Sequence, residues 1–181
     1  GERSVLDEDT FLSYKSVLEN LFITYDMPAW NLNLRTSVAV RNAPTHHFVD
    51  TSIATSALGI KPADLLNDLN SFGLFFEDFA VRDLSVYAES MGAELRHYRD
   101  SSGLEVDAIV KMPNGDYGAV KIKIASEKNI KDGIASLNSF SKRIKNSNLK
   151  EPSFRMILTS HGVSRKTEDG IFIVPINLLK D

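Results

Sequence analysis

Apolar and polar positions change period several times along the chain, and each change marks an element. From Asp7 to Phe22, "DEDTFLSYKSVLENLF" places Phe11, Leu12, Leu18 and Leu21 at near-helical spacing. Acids occupy its first turn, where the helix dipole favours them. "FITYDMPAW" and "RTSVAVRNAP" are two short β-prone runs joined by the polar turn "NLNL", and "HHFVD" is a further short strand. Asp50 then stands as the N-cap of a helix over "TSIATSAL".

From Asp64 onward the pattern is more regular. "PADLLNDLN" and "SFGLFFEDFAVRDLSVYAES" predict a short helix running into a long one. "ELRHYR" is a strand, "DSSG" a turn and "LEVDAIVKM" a second strand. "PNGD" signals a tight hairpin before a third strand, "YGAVKIKIA". In "KNIKDGIASLNSFSKRIKN", Ile130, Ile134, Leu137, Phe140 and Ile144 recur at spacings of 4, 3, 3 and 4, which makes one apolar helix face. "SFRMILTS" and "GIFIVP" are fourth and fifth strands. The order is helix, three-strand meander, helix, strand. The opening helix and ribbon resemble part of a winged-helix unit, so residues 1–60 are expected to form a small unit of that kind and residues 61–181 a second domain.

Charge changes this picture locally. The chain of 181 residues carries a net −3, yet residues 121–150 hold eight Lys or Arg against Glu127 and Asp132, a local +6 on a body of −9. A basic segment on an acidic body is either a phosphate-binding footprint or a solvated helix face. There is no cysteine, which excludes disulfides and cysteine-based metal or redox sites. No run of 18 apolar residues is present and the N-terminus is acidic rather than signal-like, so no membrane association and a cytoplasmic location are expected.

Three positions carry charge where the pattern calls for apolar residues. On the long helix, the face centred on Glu77 holds Gly73, Leu74, Ala80, Val81, Leu84 and Ala88, and the opposite face holds Phe72, Phe75, Phe79 and Val86. Glu77 is then either a snorkelling or salt-bridged glutamate or part of a site. Asp107 sits in "VDAIV", although aspartate is depleted in strands and a buried one needs a partner. Lys121 and Lys123 share one face of the next strand, with Val120, Ile122 and Ile124 on the other. An antiparallel meander brings Asp107 near both lysines. One Asp–Lys pair accounts for one of them. His46 and His47 are adjacent on a strand and face opposite ways, so they do not form a joint metal site. Trp30 and Tyr25 are expected in the core rather than stacked on bases.

An aspartate on one strand, followed after a hairpin by a strand with acid-x-Lys, resembles the PD-(D/E)xK nuclease superfamily. More closely, "HHFVDTSIATSALG", "FGLFFEDFAVRDL", "HYRDSSGLEVDAIV" and "GAVKIKI" resemble the C-terminal domain of prokaryotic AAA-type ATPases. His47 stands where that family has tyrosine, and the resemblance runs from about Phe11 to the end. It implies a mixed α/β fold with a restriction-endonuclease-like αβββαβ core. It implies Glu77 and Asp107 as ligands of Mg2+ or Mn2+, and Lys123 as the lysine that orients the attacking water or neutralises the phosphate. Lys121 belongs to the same catalytic set but occupies the place of a second acid, so metal binding is expected to be weak or absent and cleavage impaired. Lys128 and Lys131 are the expected nucleic-acid contacts, with DNA as partner. The family also implies an upstream ATPase module in the same protein. This chain holds no GxxxxGK[ST], so no ATP site is expected in it, and its start at Gly1 suggests an excised C-terminal portion. The alternative is a non-catalytic nucleic-acid-binding or protein-interaction module that regulates the ATPase.

Overall fold

In a computed structural model, residues 7–30, 43–147 and 149–180 are described. Helix α1 (Glu8–Asn20) leads into a two-stranded ribbon, β1 (Thr24–Met27) and β2 (Thr45–Phe48), followed by α2 (Thr51–Ala57), α3 (Pro62–Asn67) and α4 (Leu69–Ser90). Then come β3 (Glu94–Arg99), β4 (Glu105–Lys111), β5 (Tyr117–Lys123), α5 (Glu127–Asn146), β6 (Phe154–Thr159), β7 (Arg165–Lys166), β8 (Phe172–Pro175) and a 3-10 turn at Ile176–Leu178. The fold is mixed α/β.

Side-chain caps fix where the helices start. Asp7 accepts from Thr10 N (2.8 Å), Asp50 from Ser52 N (2.8 Å) and Ser126 from Asn129 N (3.1 Å). Asp68 accepts from Asn70 N and Ser71 N, which separates α3 from α4. Each cap satisfies donors that have no partner within the helix.

The six-stranded sheet has the order β3-β4-β5-β6-β8-β7. The meander β3-β4-β5 is antiparallel, whereas β6 runs parallel to β5 and β8 parallel to β6. A parallel neighbour requires a long crossover, and α5 supplies it between β5 and β6. Both sheet faces are covered. Ala80, Val81, Leu84 and Ala88 of α4 pack with Ala108, Val110, Val120, Ile122 and Leu158. Leu137, Phe140 and Ile144 of α5 pack with Ile109, Ala119, Ile157 and Ile173 on the other face. Two buried faces explain why β5 reads as a nearly continuous apolar run.

In the ribbon, Thr24–Met27 pairs antiparallel with Thr45–Phe48, the "HHF" run. "NLNL" and most of "RTSVAVRNAP" fall outside the described residues. After the ribbon strand, the chain lies along β3: Trp30 N donates to His97 O (2.6 Å) and His97 N to Pro28 O (3.1 Å). This covers the outer edge of the sheet and delivers the Trp30 ring among Tyr98, Tyr117 and Phe140, so the expectation of a core role for Trp30 holds. On α4, the apolar positions Leu74 and Val86 are exposed, against the pattern. Edge strand β7 has only two residues and no sequence signal of its own.

Gly118 is required by packing. A Cβ built there would lie 2.0 Å from the ring of Phe154, its register partner on β6. Gly118→Ala is expected to destabilise the protein by ~1–3 kcal/mol, the usual penalty for forcing atoms into a packed core, read as a lowered urea midpoint.

Candidate active site at the parting of two strands

Strands β4 and β5 are paired from Lys111↔Tyr117 to Ala108↔Val120, and the ladder ends there. The next residue on β4 is Asp107, and its side chain takes over the strand's role. Its Oδ2 accepts from Ile122 N at 2.6 Å, satisfying an amide that the ladder no longer reaches. Its Oδ1 accepts from Lys121 Nζ at 2.5 Å. Both side chains of this ion pair are 6% exposed. Burying either charge alone would cost several kcal/mol, so the pair and the amide hold one another in place.

Glu77 reaches the same region from α4. It lines a cleft of about 1200 Å³ together with Glu105, Val106 and Asp107. Burial, above all, and then the Asp107 charge push its carboxyl up to about 7, while Lys121 and Lys123 pull the other way and Glu105 adds a smaller push. Lys123 is partly buried at the end of β5, beside Thr159 of β6 in the register. Lys128 and Lys131 are exposed on the first turns of α5, outside this hydrogen-bonded group. The structure therefore brings Glu77, Asp107, Lys121 and Lys123 into one electrostatic neighbourhood and leaves Lys128 and Lys131 on an adjoining surface.

As arranged, these residues do not fit a divalent cation. Both Asp107 oxygens are engaged, one of them by an ammonium. Among the described residues no group of three or more His, Cys, Asp or Glu is disposed to hold a metal. A dication needs several oxygen ligands and is repelled by a neighbouring ammonium.

Two further aspartates organise the surroundings, and the sequence reading passed over both. Asp78, next to Glu77, accepts from Phe48 N (3.1 Å) and Thr51 Oγ1 (2.7 Å), with His47 Nδ1 at 3.1 Å. Burial raises its carboxyl, but the bonds from His47, Thr51 and Phe48 outweigh this and leave it below the usual range. Asp78 thus ties the ribbon and α2 to α4. His46 points elsewhere, with its Nδ1 2.5 Å from Asp26, so the two histidines do face apart. Asp100, wholly buried, accepts from Ser102 N, Ser102 Oγ, Leu104 N and Tyr98 OH, and Arg143 of α5 approaches to 3.5 Å. It fixes the β3–β4 turn and so the point at which β4 begins. The adjacent acids in "FFEDF" and the Asp-x-Ser of "RDSSG" were the available signals.

Residues 72–179, more than half of the chain, match the sequence profile of a family described as Domain of unknown function (DUF4143). The chain belongs to the DUF4143 family. Residues 2–64 match a second profile, described as Domain of unknown function (DUF8612). A search of curated proteins found no match. The DUF4143 match contains Glu77, Asp107, Lys121 and Lys123, so the whole parted-strand group lies within the family's extent. Among the described residues no helix of this DUF4143 chain is long and apolar enough to cross a membrane.

The raised carboxyl of Glu77 sets a pH dependence of stability. Its pKa is about 7 in the folded state against 4.5 ordinarily. Between these values the folded state binds the extra proton, so stability falls as pH rises from about 4.5 to 7, and the full cost persists above. At 1.36 kcal/mol per unit the ceiling is about 3 kcal/mol, and solvent access to this partly buried group lowers it. Glu77→Gln should therefore match the wild type near pH 4.5 and exceed it by ~1–3 kcal/mol near pH 8. Denaturant titrations at the two pH values check this.

Proposed function

We propose that the chain is a nuclease-like domain associated with an AAA-type ATPase, in which metal-dependent phosphodiester cleavage is impaired. The observation that carries this reading is the buried Asp107–Lys121 pair. A metal-dependent phosphodiesterase uses carboxylates at this position to hold a cation against the phosphate. Here the carboxylate is neutralised from within, and the ammonium holds the charge that a metal would bring. The αβββαβ order of the core and the placement of Glu77 and Asp107 at one cleft support the nuclease-like ancestry. The pairing of Lys121 supports loss of the chemistry.

Lys121→Glu tests this directly. It removes the ammonium and adds a third carboxylate, and even ~3 kcal/mol of relieved repulsion would tighten metal binding about a hundredfold. Calorimetric titration with Mn2+ is expected to show no or weak binding to the wild type and measurable binding to the variant. Equal affinity in both would remove position 121 from the site. DNA cleavage by the wild type in Mg2+ would overturn the impaired-enzyme reading.

A second reading, a non-catalytic nucleic-acid-binding module, is favoured by Lys128 and Lys131, which are exposed and make no ion pair among the described residues. Replacing both with Ala is expected to weaken binding to duplex DNA and to flatten its salt dependence by about 0.9 per lost contact. An unchanged slope would return this face to ordinary solvated surface.

A further inference from the structure

The cleft beside Glu77 has a chemistry that the nuclease-like reading does not use. At about 1200 Å³ it exceeds the roughly 300–1,000 Å³ typical of small-molecule pockets. One wall is apolar: Ile53 and Leu58 from the α2 region and Leu74 from α4 line it and stay 41%, 68% and 72% exposed. The same cleft is lined by Glu77, Asp78, Glu105 and Asp107, the first two about one turn from Leu74 on α4. Among the described lining residues the one guanidinium or ammonium is that of Arg99, which already pairs with Glu105 at 2.8 Å. Asp78 and Asp107 are satisfied by His47 and Lys121, but Glu77 accepts no hydrogen bond from any described residue. A phosphate backbone entering here would meet four carboxylates and, among the described lining residues, one guanidinium that is already paired.

We propose that this cleft is a docking groove for an amphipathic, cationic segment of a protein partner. Its apolar side chains would cover Ile53, Leu58 and Leu74, and a Lys or Arg would reach the Glu77 carboxylate. Helix-in-groove recognition uses this combination of apolar anchors and one charge-assisted contact. Charge complementarity selects the occupant: four carboxylates line the groove beside exposed leucines against one guanidinium among the described lining residues, so a neutral apolar segment would leave Glu77 without a partner and an acidic one would be repelled. The proposal does not rest on the nuclease-like reading, and Mn2+ binding leaves it untouched. Glu77 is faced by Asp107 of β4, Lys121 and Lys123 of β5 and Glu105 of β4, with Asp78 beside it on α4 and His47 beyond.

The test uses the full chain and three fluorescent probes: a short amphipathic Leu/Lys helical peptide, its Leu/Glu counterpart, and a single-stranded DNA oligonucleotide. The Leu/Lys peptide is expected to bind at least about tenfold more tightly than the Leu/Glu peptide, by anisotropy at physiological salt. The double variant Leu58→Ser/Leu74→Ser changes only exposed side chains and is expected to lower that affinity about tenfold or more. Glu77→Gln is expected to narrow the preference for the Leu/Lys over the Leu/Glu peptide to less than about threefold. No binding of the Leu/Lys peptide, equal binding of both peptides, or affinity unaffected by the leucine replacements would overturn the proposal. DNA binding lost in the leucine variant would assign the groove to nucleic acid instead.

Discussion

A single aspartate holds the centre of this structure where its sheet stops being regular. Strands β4 and β5 separate after Ala108 and Val120, which strands the amide of Ile122 in a buried place. Asp107 answers that amide with one oxygen and the Lys121 ammonium with the other. Neither charge could be buried alone at tolerable cost, and the amide could not go unpaired. The three groups form one closed arrangement that sets how far the strands open. The misfit to a divalent cation follows from it, and the Asp107 charge adds to the burial that raises the Glu77 carboxyl.

The same device recurs at two nearby irregularities. Asp78 ends the ribbon and begins the α2 region by gathering Phe48 N, Thr51 and His47 onto α4. Asp100 closes the turn between β3 and β4 and is approached by Arg143 from the far side of the sheet. In each case a carboxylate replaces the regular partner of backbone amides. Carboxylates suit this role because each offers two oxygens and forms stronger bonds than a neutral acceptor.

Elements were legible where a local period defined them. The 3.6 period of 128–147 and the "PNGD" turn led directly to α5 and the β4–β5 hairpin, and the misfit of Asp107 in an apolar strand led to its lysine partner. What local sequence cannot carry is the choice among neighbours. Nothing local to "HHFVD" names its partner, and only tertiary packing decides that it pairs with Thr24–Met27. Asp78 escaped notice because its partners lie about thirty residues earlier in the chain. Leu74 looked like a core residue because periodicity reports a helix face without saying whether anything covers it.

Trp30 carries a consequence for how the chain holds together as a heritable unit. It belongs to the first profile-matched stretch, yet its ring fills space among Tyr98, Tyr117 and Phe140 of the second, and its backbone shields the edge of β3. A piece cut at the boundary between the two matches would bare a sheet edge and leave a tryptophan-sized hole beneath it. Bare edges recruit other strands, so such a fragment would be exposed to self-association. The two stretches are therefore joint tenants of one core, and a recombination event that replaced the first would have to supply an equivalent plug for the second.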